Sequence, residues 1–114
     1  MSVVIYHNPR CSKSRQTLEL LEQNGVQPEV IKYLETPLSI EALKTLYAQL
    51  ELSEVRAMMR TKEELYKQLS LADASDEQLF TAMAENPKLI ERPIVVANGK
   101  AKHGRPPEQV LAIL

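Results

Sequence analysis

Apolar residues come in short bursts near both ends of the chain and in helical stripes between them. Val3-Val4-Ile5-Tyr6 is a continuous apolar run of strand length. Residues 14–24 then place Leu18, Leu20 and Leu21 along one side of a helix, which Gly25 stops. Residues 29–34, with Val30, Ile31 and Tyr33, read as a second strand. Two strands joined by one helix of this length make a parallel, right-handed βαβ unit. Beyond the Thr36-Pro37-Leu38-Ser39 turn, Ser39 is a ready N-cap for a helix whose stripe is Ile40, Leu43, Leu46, Tyr47 and Leu50. Ser53 can cap a short helix through Met58 and Met59. Thr61 with Glu64, and Ser75 with Gln78, have capping-box spacing ahead of Leu65, Tyr66 and Leu69 and of Leu79, Phe80 and Met83. Asn86-Pro87 closes this helical middle. The period then switches: residues 93–97 read as a strand, Asn98-Gly99 as a tight hairpin turn, and residues 100–103 as a short returning edge strand. Gly104-Arg105-Pro106-Pro107-Glu108 opens a last helix with Val110, Leu111, Ile113 and Leu114 on its buried face.

The order β-α-β, several helices, β-β-α predicts an α/β fold with a mixed four-stranded sheet. It is the thioredoxin-like arrangement, with a helical insertion at about residues 39–86 in a single domain spanning 1–114. Such a fold carries a proline just before its third strand. Pro93 stands there, so the Arg92–Pro93 bond is expected to be cis, which for X–Pro costs only about 0.5–1 kcal/mol.

A length of 114 residues bounds the chain to one domain with a real core. A single cysteine allows no internal disulfide and points to a reducing, cytoplasmic setting. No apolar run is long enough to cross a membrane, and the first one ends at Tyr6, too early for a signal peptide. A net charge of −1 argues against nucleic acid as a main partner.

The one cysteine, Cys11, lies in His7-Asn8-Pro9-Arg10-Cys11-Ser12-Lys13-Ser14-Arg15, where a strand hands over to a helix. A thiol there faces free backbone N–H groups and the positive end of the helix dipole, and both favour the reactive thiolate. Arg10, Lys13 and Arg15 push the same way. His7 does too if protonated; as neutral imidazole it could instead accept the thiol's proton. A packing role for Cys11 fits these basic neighbours poorly. A metal site at His7, Cys11 and His103 lacks the four ligands a structural zinc needs, and nothing suggests a bound organic cofactor. Ser14 and Arg15, in the first helical turn, can form an anion cradle with the backbone. Arg60, Arg92 and Arg105 sit beside loop or turn signals, and Arg92 and Arg105 flank regions that this fold brings near the end of the first strand. Several guanidiniums around one thiolate suit a tetrahedral oxyanion and lower the thiol pKa together.

The spacing His7-xxx-Cys11-xxx-Arg15 within YHNPRCSKSRQTLELL resembles the signature of the glutaredoxin-dependent arsenate reductases. The similarity continues through IKYLETPLS, VRAMMRTKEELYKQLSL, LIERPIVV and GRPPEQVL, in order, over essentially the whole chain. The resemblance implies Cys11 as the nucleophile that attacks arsenate, His7 as the histidine that lowers its pKa, and Arg15 as the arginine of the motif. It implies Arg60, Arg92 and Arg105 as the oxyanion-binding arginines. Glutathione would be the co-substrate and glutaredoxin the protein partner, so one cysteine in the chain suffices. The chain reads as a short member; Ser12 and Lys13 replace smaller neutral residues that commonly follow the nucleophile, and Arg10 adds a charge immediately before it.

Two other readings use the same residues. One is a glutathione-dependent thiol reductase acting on another substrate through Cys11. The other is a thioredoxin-like regulatory adaptor, but those typically carry a C-x-x-C switch and here Ser14 holds the second position. A cysteine phosphatase would need arginine where this chain has Thr17.

Overall fold

The computed structural model describes residues 2–114. The chain divides into two compact units. One runs through Thr36 and resumes at Arg92–Leu114; the other is Pro37–Glu91, bracketing the segment 39–86 expected as helical.

The first unit is built on a sheet of β1 (Val3–Tyr6), β2 (Glu29–Ile31), β3 (Ile94–Ala97) and β4 (Lys100–His103), in the order β2-β1-β3-β4. β1 and β2 are parallel, with Tyr6 opposite Ile31; β1 and β3 are antiparallel, with Tyr6 opposite Ile94. The start of β3 and the end of β2 therefore both lie beside the end of β1. Val3, Ile5, Val95 and Ala97 pack with Leu21 of α1 (Ser12–Gln23) and with Val110 and Ile113 of a closing helical segment, Pro107–Ile113. That segment is a 3-10 helix, not the α-helix expected. The hairpin turn forms as anticipated, with Asn98 at φ 55° and Gly99 at φ 75°, the left-handed pair that matches strand twist. The Asn98 Nδ2 donates to the Ile113 carbonyl at 2.8 Å and ties the turn to the closing helix.

β2 is shorter than the run 29–34 because the chain turns at Lys32, whose carbonyl accepts the N–H groups of Glu35 and Thr36. α1 begins two residues earlier than its apolar stripe suggests. Its inward positions there are the polar Ser14 and Thr17, both fully buried.

The second unit packs α2 (Ile40–Leu50) on α4 (Asp76–Glu85), with Leu43, Leu46 and Leu50 facing inward from α2 and Leu79, Phe80 and Met83 from α4. Ser39 caps α2 by accepting the Ala42 N–H, and Ser75 with Gln78 forms the complete capping box before α4. The other two expected caps do not form. The turn at Val55–Met58 starts from Glu54 rather than Ser53, and α3 (Glu64–Gln68) starts from Glu63 after its N–H has closed a turn onto the Arg60 carbonyl. Arg56 donates from Nη2 to the carbonyls of Leu71, Ala72 and Ala74 and from Nε to the Tyr66 hydroxyl, fastening the loop after α3. Among the described residues no helix is long and apolar enough to cross a membrane.

Candidate active site

Cys11 is the N-cap residue of α1, in extended backbone at the end of the loop that leaves β1. The residue is only 9% exposed. Burial is the largest influence on the thiol and pushes its pKa up. It is outweighed by the Ser14 N–H, by the hydrogen bond and the charge of the Arg92 guanidinium, and by the Lys13 N–H, so the thiol titrates below its ordinary value. No regular capping hydrogen bond joins the sulfur to the helix; the N–H groups act as the positive end of α1 facing an anion. α1 has no acidic residue in its first turn to compete for that position.

Arg92 reaches this sulfur because it lies two residues before β3, and β3 runs antiparallel to β1 with Ile94 opposite Tyr6. The Arg92–Pro93 bond is cis, as expected, and so is Arg105–Pro106, which was not anticipated. Arg105 Nη1 donates to the Arg92 carbonyl at 3.1 Å. The structure thus joins Cys11, Arg92 and Arg105 in one chain of contacts.

The Arg105 loop is seated by Gly104, whose N–H donates to the Pro93 carbonyl at 3.0 Å. A Cβ at Gly104 would fall on the Thr17 hydroxyl and lie 2.8 Å from Pro93 Cγ and 2.9 Å from Thr17 Cγ2. Thr17 cannot yield easily, because its hydroxyl donates to the Lys13 carbonyl at 2.8 Å. Gly104→Ala is therefore expected to lower stability by about 1–3 kcal/mol, the usual cost of overpacking. Urea denaturation measures this, and an unchanged midpoint would show that the close approach relaxes freely.

His7 is buried, and its Nδ1 lies 2.6 Å from the Ser14 hydroxyl. The same hydroxyl accepts the Asn8 N–H at 3.0 Å. The Ser14 hydroxyl can donate to Nδ1 of the neutral imidazole or accept from it, according to the tautomer. Burial first, then the charges of Lys32 and Arg15, hold the His7 pKa below its ordinary value. His7 is thus a neutral imidazole near pH 7, and no positive charge on it is available to favour the thiolate. Its Nδ1 is engaged with Ser14 rather than with the thiol. The three-way contact fastens the loop at residues 7–8 to the first turn of α1.

The sign of the pH effect follows. The unfolded chain takes up a proton on His7 near pH 6.5 and the folded chain only at lower pH. This contribution to stability is complete above about pH 6.5 and is lost as pH falls from there to the depressed folded value. His7→Gln should show a shallower loss of stability on acidification than the parent chain, measured by denaturation at stepped pH. Parallel curves would mean that His7 protonates freely in the fold.

Arg15 Nη1 donates to the Pro9 carbonyl at 2.8 Å, bracing the loop before Cys11. Arg60 lies in the helical unit, where it pairs with Glu63 at 3.0 Å; its place as an oxyanion ligand remains an expectation from the resemblance. Lys32, Thr17 and Gly104 were not singled out from the sequence. The parallel pairing of β1 and β2 was a usable signal for Lys32, since it sets the residue after β2 beside the residue after β1. Among the described residues there is no group of three or more His, Cys, Asp or Glu side chains able to hold a metal ion.

The chain is 62% identical to a protein of Escherichia coli K12 named "Uncharacterized protein YfgD", over 98% of this chain and 96% of that one. It is 55% identical to a protein of Haemophilus influenzae named "Arsenate reductase", over the whole of both. A solved structure titled "Arsenate reductase from Vibrio cholerae" superposes with a TM-score of 0.99 at 73% identity, covering 100% of this chain and 98% of that one. The fold is thioredoxin-like. With the family description "ArsC family" matching residues 6–113, nearly the whole sequence, the chain belongs to the ArsC family.

Proposed function

We propose that the chain is an arsenate reductase that works through a covalent cysteine–arsenate adduct on Cys11, with glutathione as co-substrate and glutaredoxin as the protein that restores it. The observation that carries this reading is the pairing of Cys11 with Arg92. One guanidinium favours the thiolate and stands beside the sulfur where a tetrahedral oxyanion needs donors. Arg105, bound to the Arg92 carbonyl, is the second guanidinium. The names of the relatives supply arsenate as the oxyanion.

The Cys11 thiolate attacks arsenic(V), and an As–O bond breaks to release hydroxide or water. A glutathione thiolate then attacks the Cys11 sulfur. The S–As bond breaks with its electron pair left on arsenic, giving arsenite and a Cys11–glutathione disulfide. Glutaredoxin attacks the glutathione sulfur of that disulfide, and Cys11 leaves as thiolate. His7, Ser14 and Arg15 act as positioning residues that hold the loop around the nucleophile. Chemistry that depends on free thiols suits the cytoplasm.

A coupled assay tests the reading. With glutathione, glutaredoxin, glutathione reductase and NADPH present, NADPH loss should require arsenate and should fail with phosphate. Turnover of glutathione-linked disulfides without any response to arsenate would make the chain a thiol reductase of another kind. No NADPH loss under either condition would leave only the adaptor reading.

A further inference from the structure

We infer that the groove between the loop at residues 7–10 and the end of β2 seats the thiol co-substrate, and that its charges select a zwitterionic, anionic peptide thiol such as glutathione. This inference rests on the function proposed above. The groove holds about 420 Å³ and is lined by residues 7–10 together with Lys32, Leu34 and Glu35. That falls within the range of about 300–1,000 Å³ usual for small-molecule sites.

The chemistry of the second step favours this side of the nucleophile. A thiolate that displaces arsenic from the Cys11 sulfur must approach opposite the breaking S–As bond. The sheet order β2-β1-β3-β4 puts β2 and β3 on opposite sides of β1. Arg92, with Arg105 bound to it, stands on the β3 side of the strand end that leads to Cys11. An oxyanion held by these arginines leaves the β2 side for the incoming thiol. The groove is on that side, and its inner wall is the loop immediately before Cys11.

The charges fit the same ligand. Arg10, Lys32 and Glu35 converge on the groove, and none of their side chains makes an ion pair or hydrogen bond among the described residues. Glutathione carries two carboxylates and one ammonium. Two cations and one carboxylate are the complementary set, and Leu34, 44% exposed, offers an apolar surface for the peptide's methylene groups. Lys32 stands beside His7, because Tyr6 is opposite Ile31 in the parallel pair and the His7 N–H donates to the Ile31 carbonyl.

The test needs no arsenate. Cys11 is reacted with oxidised glutathione, with bis(2-hydroxyethyl) disulfide, which is neutral, and with dithiodipropionate, which is anionic but lacks the ammonium. In each case the Cys11 thiolate attacks one sulfur and the other leaves as thiolate, and mass spectrometry follows the mixed disulfide. Neither Arg10 nor Lys32 is among the groups that lower the Cys11 pKa in the structure, contrary to the expectation for Arg10, so Arg10→Ala with Lys32→Ala should slow the glutathione reaction roughly tenfold at low ionic strength and leave the neutral disulfide unchanged. Glu35→Gln should slow oxidised glutathione but not dithiodipropionate. Equal slowing of the neutral disulfide would overturn the inference, because the cations would then act on the thiolate itself. So would an unchanged glutathione rate in the double variant, or no effect of Glu35→Gln. Failure of the arsenate assay with these selectivities intact would count against the arsenate reading alone.

Discussion

Cys11→Ser is expected to abolish arsenate-dependent turnover, by roughly four orders of magnitude or more, while leaving the fold in place. A serine hydroxyl at this position has no accessible anionic form near neutral pH, so the nucleophile is lost rather than weakened. The fold should survive because the replacement is nearly the same size and Cys11 makes no capping hydrogen bond that the helix would lose. Serine is itself a good N-cap, so α1 could gain slightly at its start. The coupled NADPH assay measures the first effect and thermal unfolding the second. Activity that persists in the variant would exclude the covalent route, since the chain has no second cysteine to take over.

Arg92→Lys is expected to behave much worse than conservation of charge suggests. The guanidinium both hydrogen-bonds the sulfur and carries the charge that favours its ionised form. Lysine keeps a charge but loses the planar fork that can serve sulfur and oxyanion together. Charge-assisted hydrogen bonds are worth about 1.5–3 kcal/mol, so the loss in kcat/KM for arsenate should be roughly 10- to 150-fold. Most of it should appear in the arsenate KM and in kcat, with the glutathione KM little changed. The Arg105 contact should persist in the variant because it uses the backbone carbonyl of residue 92 and not its side chain. Wild-type kinetics in Arg92→Lys would remove Arg92 from the proposed oxyanion site.

Much of the fold was legible because its elements announce themselves locally. The run at residues 3–6, the Asn98-Gly99 turn, the α2 stripe and the Ser75–Gln78 box are all short-range signals, and each formed as read. What stayed hidden depends on contacts between distant residues. Ser14 and Thr17 sit at buried helix positions that hydropathy marks as solvent-facing, because they bind His7, the Lys13 carbonyl and the loop carrying Arg105. The early start of α1 follows from the same contacts. The closing segment winds as a 3-10 helix from Pro107, a distinction that apolar spacing over so few residues does not make.

The site divides in the same way. Cys11 and its place at a helix start can be read from sequence, since strand, loop and helix are contiguous there. The approach of Arg92 follows from the fold class, because the segment leading into β3 must lie beside the end of β1. The charge state of His7 could not be read, because it is set by burial and by Lys32, which arrives from the far side of the βαβ unit.

Centrally, Arg92 and the first turn of α1 shift Cys11 toward the thiolate. Ultraviolet titration of thiolate absorbance tests it most directly, with Cys11→Ser as the blank and Arg92→Ala as the comparison. The wild-type thiol should ionise clearly below the ordinary range near pH 8.5, and the midpoint should move back upward when the guanidinium is removed. An ordinary midpoint in the wild type, or one indifferent to Arg92, would contradict the account.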